Sequence, residues 1–297
     1  MKKIIEIKQD NSNIRVDRWI KKNIFLVPQS LIEKSLRHGL IKVNKKRVKS
    51  SYKLKINDIV YLYNFNPDVE KKNKKKYIAT SKEISSSEKF IIENNQNFIA
   101  LNKPSGIPVQ GGTKSHKNLV DILSNSKIFN EIKPYIVHRI DKETSGVFLI
   151  AKNREYAQLL TSLFRIRKIH KTYLAICEGE FQNNSGELKH TLSRYEKNKK
   201  IDEVAKTYFK VLDKNSNTTF LSLNPVTGRK HQIRKQLLLC NHPILGDKKY
   251  NFNTKSNKLL LHAYSIKFII NKVKYEFKVK YPDYFEKVLK IKRLKFI

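Results

Sequence analysis

The sequence predicts an α+β protein of two domains joined by a polar linker, and three observations carry that expectation. The chain of 297 residues is long enough for a full-sized core and longer than a usual single domain. Its texture changes twice: a compact basic stretch over about 14–63 gives way to a polar zone, and from Phe90 onward apolar strands and helices alternate to the end. The polar zone, containing VEKKNKKKYIATSKEISSSEK, has too little apolar surface to offset the entropy of ordering it. The expected boundaries are a first domain over 1–63, a linker over 64–89 and a second domain over 90–297.

A hydrophobic content of 39% with 30% charged residues describes a folded globular chain, not a disordered one. The formal net charge of +36 is far outside the range of an ordinary metabolic enzyme, and such a field attracts polyanions over a Debye length or more. Nucleic acid is the expected partner. Lysine far outnumbers arginine, and asparagine and isoleucine are abundant, as AT-rich codon usage alone would produce, so the distribution of charge says more than its total. The two cysteines, Cys177 and Cys240, form no CxxC pair; neither a disulfide framework nor a zinc ribbon is indicated, which fits a reducing cytosol. The start, MKKIIEIKQDNSN, is basic with only a short apolar stretch, so no signal peptide is expected. No run reaches the ~18 apolar residues of a membrane helix. A soluble, cytoplasmic protein is the expectation.

In the first domain, Pro28-Gln29-Ser30 precedes a predicted helix, with Ser30 and Glu33 at capping-box spacing. Ile32 and Leu36 share one helical face, and Gly39 is the expected stop. LIKVN and KRVKSSYKL read as strands joined by a turn at Asn44-Lys45, and NDIV starts another. Across 35–56 there are eight Lys or Arg and no Asp or Glu, a local positive face. RVDRWI, PQSLIEKSLRHGLIKVNKKRV and INDIV together resemble the S4 RNA-binding module, a small unit of two helices and a short sheet. The resemblance implies RNA binding, with Arg37, Lys42, Lys45, Lys46, Arg47 and Lys49 as phosphate contacts. Such contacts position an RNA without reading its bases.

In the second domain one stretch has chemical character: HRIDKETSG, residues 138–146, between the apolar runs YIV and VFLIA. Alone, it also fits a strand ending in a polar turn, with Asp141 ion-paired to Arg139 or Lys142 and Gly146 as the turn residue. A kinase reading fails, because the downstream asparagine spacing is wrong and no glycine-rich loop or DFG accompanies it. A phosphate-binding loop fails because Gly112, not lysine, follows Gly111. Cys240 and His242 lack metalloprotease or zinc-deaminase spacing.

Four other stretches accompany it in order: IALNKPSGIPVQGG (99–112) before it, then RKIHKTYLAICEG (167–179), NPVTGRKHQIRKQLLLCNHPILGDKKY (224–250) and LLLHAYSIKF (259–268). With the S4-like module these resemble the RluA/RluC/RluD family of ribosomal large-subunit pseudouridine synthases, over nearly the whole chain except the linker. RVDRWI, the 28–54 stretch and VQGG after the NKPSG turn are closest to the RluC type. The resemblance implies a pseudouridine synthase catalytic domain with a bent, mostly antiparallel mixed sheet and a central basic cleft. It also implies isomerisation of uridines in 23S ribosomal RNA without metal, nucleotide or redox cofactor.

The resemblance makes Asp141 the essential carboxylate, acting on a flipped-out nucleotide either by attack on C1′ or by removal of a ribose proton; both routes stay open. A carboxylate can serve as nucleophile or base on an oxocarbenium-like ribose, and neighbouring cations keep it ionised beside polyanionic RNA. Arg234, in HQIR on the helix predicted after Thr227-Gly228, is implied as its guanidinium partner, a geometry lysine does not offer. Arg139 is implied to fill the space left by the flipped base, with His138 beside it as a further substrate contact. Tyr173 is implied to stack on the uracil, with proton transfer at C5 an open second role, although the alternation in KTYLAICEG equally fits a core strand. Leu261 is implied as the apolar floor. Arg229, read near the start of the same helix as Arg234, opposes the helix dipole there and is expected to bind a phosphate. Lys230, where the family often has Thr, and Lys235-Gln236, where Val-His is common, depart from the pattern and bear on the RNA contacts. Two other readings are the same reaction on transfer RNA or other ribosomal uridines, and a noncatalytic RNA-binding ribosome-assembly factor. The last has no use for Asp141, Tyr173 and Arg234 together.

Overall fold

Apolar residues at helical and strand spacing set the core of the first unit. The computed structural model describes residues 2–24, 29–63, 77, 79–111, 117–129, 134–196, 199–251 and 257–295, and the chain divides into units 1–75 and 76–297. The first unit runs β1 (Lys2–Glu6), α1 (Val16–Asn23), α2 (Gln29–His38), β2 (Ile41–Val43) and β3 (Ile59–Tyr63), with an antiparallel sheet in the order β1-β3-β2. Val16, Trp19 and Ile20 of α1 and Ile32 and Leu36 of α2 form stripes that close over Ile41, Val43, Val60 and Leu62. Gly39, at φ 74, ends α2: its amide donates to the Leu36 carbonyl and the Leu40 amide to that of Ser35. A Cβ there would meet Arg47 Nε at 2.8 Å.

Two local expectations are corrected. Helix α2 starts at Gln29, so Ser30 lies inside the first turn and is not its cap; Pro28 lies outside the described residues. Glu33 instead faces Gln29, whose Nε2 also donates to Asp17 at 2.8 Å. KRVKSSYKL makes only isolated bridges, at Lys46 and Lys53. The buried Asp58 carboxylate holds that segment as a loop, accepting from Asn44 Nδ2, the Tyr52 hydroxyl and the Lys55 amide. Asn44 and Lys45, both at positive φ, form the anticipated turn. Strand β1, which no motif announced, completes the sheet.

The second unit begins at Lys76, not Phe90. Within the zone expected as linker, Ser81–Glu88 forms α3, ordered by a capping box: Thr80 Oγ1 accepts from the Glu83 amide and Glu83 from the Thr80 amide. A cap satisfies backbone donors that apolar content alone would leave open. Residues 64–76 of the expected linker lie outside the described residues.

After α3 come β4 (Ile91–Asn94), β5 (Phe98–Lys103), α4 (Leu119–Leu123), β6 (Tyr135–Ile136), β7 (Ser145–Ala151), α5 (Arg154–Arg165), β8 (His170–Glu178), β9 (Ser185–Glu196) and β10 (Lys199–Asn215). β11 (Thr218–Pro225), α6 (Gln232–Leu239), β12 (Leu261–Ile270), β13 (Val273–Lys278) and α7 (Asp283–Ile291) complete it. The strands form one sheet in the order β4-β5-β7-β12-β8-β11-β10-β9, with β6 on β7 and β13 on β12. Among the described residues only β7–β12 is parallel, so the sheet is mixed and mostly antiparallel, as the family resemblance implied. Strand β7 is buried on both faces, which is why its run is apolar without alternation. Val147, Leu149 and Ala151 enter one core with Phe98 and Leu160, while Phe148 and Ile150 enter another with Ile99, Leu101 and Leu119.

The parallel pair positions the site. Ser145 and Gly146 lie opposite His262 and Ala263, and Ala263 in turn lies opposite Tyr173 on β8. The segment before β7, the start of β12 and the middle of β8 therefore meet at one end of the pair. At Gly146, φ is 111 and a Cβ would stand 2.2 Å from the Ala263 carbonyl oxygen, so only glycine permits this register.

Candidate active site

The turn after Asp141 is held by backbone carbonyls. Buried Lys103 donates from Nζ to the carbonyls of Pro104, Ile107 and Lys142 at 2.8, 2.9 and 3.0 Å. The Gly106 amide also donates to the Lys142 carbonyl, and the Ser105 hydroxyl to that of Glu143. The NKPSG turn thus fixes the chain on the C-terminal side of Asp141. On its other side, the His138 ring is packed between Phe148 and Phe164, centroids 4.6 and 4.5 Å away, and Nε2 accepts from the Leu149 amide at 2.9 Å. Burial, with Lys171 nearby, lowers its pKa to about 3. His138 is therefore a neutral wall residue with one nitrogen already engaged.

The Asp141 carboxylate, whose side chain is 18% exposed, accepts from Arg234 Nη1 at 3.2 Å through Oδ2. The other edge of the guanidinium is bidentate on Asp247: Nε to Oδ2 and Nη2 to Oδ1, both 2.7 Å. Arg234 and Asp247 side chains are 7% and 0% exposed. The buried carboxylate orients the guanidinium and leaves Nη1 free to donate to Asp141. Asp247 Oδ1 also accepts from the Lys249 and Tyr250 amides at 3.0 and 3.1 Å, and the Tyr250 ring lies 5.1 Å from the guanidinium carbon. Asp247 and Tyr250 escaped the sequence reading, although GDKKY, a lone acid between glycine and two lysines, was the available signal.

Helix α6 carries Arg234 into place through buried amides. Gln232 bonds Thr227, Thr207 and the Lys206 carbonyl, and Gln236 bonds Thr207 and the carbonyls of Leu188 and Ala205. The helix starts at Gln232, so Arg229 precedes it and does not sit in its first turn. The expected conflict with the helix dipole is therefore absent. Arg229 Nη1 instead bonds Glu203 at 2.7 Å, and the same carboxylate accepts from Arg194 Nε at 3.0 Å.

Asp141, Tyr173, Arg234, Arg139, His138, Arg229 and Leu261 all line one cleft of about 730 Å³. Buried Leu261 provides apolar wall, and Arg139 is exposed at the rim. Burial, and then the Asp141 charge, raise the Tyr173 pKa, which keeps the phenol neutral. Arg165, Arg167, Lys171, Arg194 and Lys230 extend the lining, against Asp141 and Glu203 as its only acids among the described residues. With Glu203 already engaged by Arg229 and Arg194, a cleft so biased accommodates a polyanion around the Asp141 carboxylate. Among the described residues no three His, Cys, Asp or Glu side chains are grouped to hold a metal ion, and no helix is long and apolar enough to cross a membrane.

In the first unit Arg37, Lys45, Lys46, Arg47 and Lys49 are exposed, and Lys42 lies half-buried with Nζ 5.3 Å from the Tyr63 ring centroid. The acids Asp17 and Asp58 are buried and engaged, the first by Arg15 and Gln29, so they do not offset this face at the surface.

A family model described as RNA pseudouridylate synthase matches residues 97–239, and an S4 domain model matches residues 14–60. Ribosomal large subunit pseudouridine synthase C of Buchnera aphidicola subsp. Schizaphis graminum is 36% identical over 288 residues, covering 90% of this chain and 89% of that protein. The Haemophilus influenzae protein of the same name is 33% identical over 287 residues, covering 90% and 87%. Among solved structures, Human RNA Pseudouridylate Synthase Domain Containing 4 aligns with a TM-score of 0.62 at 25% identity, covering 72% of this chain and 98% of that one.

Proposed function

This chain belongs to the RNA pseudouridylate synthase family, and from that premise we propose that it isomerises specific uridines of 23S ribosomal RNA, with Asp141 as the essential group. The observation that carries the reading is the Asp141 carboxylate, held by Arg234 inside a cation-lined cleft beside Tyr173 and Leu261. A uridine everted into the cleft stacks on Tyr173 over Leu261, and Arg139 occupies the place it leaves in the RNA. The C1′–N1 bond breaks, the uracil turns, C1′ bonds C5, and the C5 proton is lost while N1 gains one. Asp141 assists either as nucleophile at C1′ or as base at the ribose, and the Arg234 guanidinium keeps it oriented and charged in both. The S4 face and the cleft cations hold the phosphates; the names of the relatives support large-subunit RNA as the substrate, and the cytoplasm is the proposed place of action.

The test has two parts. Purified protein is incubated with uridine-tritiated ribosomal RNA, and release of tritium from C5 is measured; Asp141→Ala is expected to release none. Carbodiimide-dependent primer extension on RNA from cells with and without the protein then maps the sites. Loss of 23S sites supports the proposal. Loss of a transfer RNA site instead redirects the substrate, and unchanged maps with no tritium release leave an RNA-binding assembly factor.

A further inference from the structure

Arg234 attends one oxygen of Asp141, and a second group faces the other. His231 Nε2 stands 3.7 Å from Asp141 Oδ1, and its Nδ1 is 2.8 Å from the Tyr250 hydroxyl. His231 is the residue before α6, at φ 53 and ψ 33, a left-handed conformation that costs a β-carbon residue energy. Its side chain makes no capping hydrogen bond to the helix. The strain therefore finds its use in the ring, which reaches into the cleft. Tyr250 is fixed by the same carboxylate that fixes Arg234, since its amide donates to Asp247 Oδ1. One buried acid thus positions the attendants of both Asp141 oxygens.

The tautomer follows from the geometry. With the proton on Nδ1, the Nε2 lone pair would face a carboxylate oxygen and repel it. With the proton on Nε2, the ring offers Asp141 a donor and accepts from the Tyr250 hydroxyl. Burial lowers the His231 pKa, with Arg234, Lys249 and Lys230 adding to the effect against the pull of Asp141, so the ring is neutral and the tautomer matters.

We propose that His231 and Tyr250 are a positioning pair: the Tyr250 hydroxyl donates to Nδ1, and Nε2–H closes onto Asp141 Oδ1 when a nucleotide enters. Catalytic hydrogen bonds that are long in a free enzyme commonly tighten in the complex. Held at both oxygens, the carboxylate no longer swings about its terminal torsion, and its reactive lone pair stays aimed at the sugar. The inference rests on Asp141 being the reacting group.

The experiment compares tritium release by the wild type, Tyr250→Phe, His231→Asn, His231→Gln and the His231→Gln/Tyr250→Phe double variant, with thermal stability measured for each. Phenylalanine keeps the ring over Arg234 and removes only the hydroxyl; kcat should fall on the order of 10-fold with KM and Tm unchanged. Asparagine tolerates the left-handed backbone but does not reach Asp141, and should lose at least as much. Glutamine reaches Asp141 with a donor that needs no tautomer. His231→Gln should recover most of the loss, and adding Tyr250→Phe should then change nothing. A Tyr250→Phe variant with wild-type kcat, a change confined to KM, or an undiminished Tyr250→Phe effect beside His231→Gln would overturn the pair. An active Asp141→Ala overturns the reading of Asp141 itself; an inactive Asp141→Ala beside an unaffected Tyr250→Phe overturns only this inference.

Discussion

Replacing Asp247 by Asn isolates what the buried carboxylate does for the site. The Arg234–Asp247 contact is bidentate, with both bonds at 2.7 Å and the Asp247 side chain fully buried. Removing one partner of such a pair leaves an uncompensated charge and costs about 3–5 kcal/mol. Asparagine keeps an oxygen for the Lys249 and Tyr250 amides but turns an amide N–H toward the guanidinium, while alanine loses every contact. Asp247→Asn should therefore lie near 3 kcal/mol and Asp247→Ala near 5, about the limits of that range. At roughly 2–4 °C per kcal/mol for a unit this large, Tm falls by about 6–12 °C for Asn and about 10–20 °C for Ala. Catalysis suffers separately, because an unanchored Arg234 no longer fixes Asp141, and a misplacement of about 1 Å costs on the order of 10²-fold in kcat. Scanning fluorimetry and tritium release measure the two effects. The Asp247→Asn/Arg234→Met double variant should regain most of the lost Tm, since no unpaired charge is buried, and stay inactive. An Asp247→Asn protein that melts within about 1 °C of wild type and turns over within about twofold of it would refute the assignment.

Gly146→Ala places a methyl 2.2 Å from the Ala263 carbonyl, so the β7–β12 pairing breaks; a loss of at least about 4 kcal/mol should show as insoluble protein or a collapsed Tm. His138 and His262 titrate near 3 and 4 because burial disfavours their charged forms, so the unfolded chain takes up protons that the folded chain refuses. Their cost is absent above about pH 6.5 and grows by up to about 1.4 kcal/mol per pH unit for each as pH falls toward 4. Tm should drop over that window, and His138→Gln, which keeps an acceptor for the Leu149 amide, should flatten the drop. RNA affinity should fall steeply with salt, and replacing Lys45, Lys46 and Arg47 together by alanine should reduce the slope of log K against log salt by about 2–3 in filter binding; an unchanged slope removes that face as the phosphate contact.

Much of the fold is legible because it rests on short-range periodicity. The doubly buried run VFLIA, the α2 stripe of Ile32 and Leu36, and the stop at Gly39 are each decided by residues within a few positions. The misreadings have equally local causes. Ser30 mimics a cap but lies inside the first turn, KRVKSSYKL has strand-forming residues but is held as a loop by Asp58, and the polar 81–88 segment becomes a helix through its Thr80–Glu83 cap.

The site divides along the same line. Chemical type is written in single residues: an aspartate among cations, an HQIR arginine and a strand tyrosine told what kinds of group the chain carries, and family likeness told what such groups do. Which groups touch was decided by the tertiary structure. Asp141 and Arg234 are 93 positions apart and meet through the parallel β7–β12 register that Gly146 permits and the amide network seating α6. Asp247, His231 and Tyr250 gain their meaning only there, because a hydrogen bond depends on distances of a few tenths of an ångström that residue order does not encode until the sheet has closed.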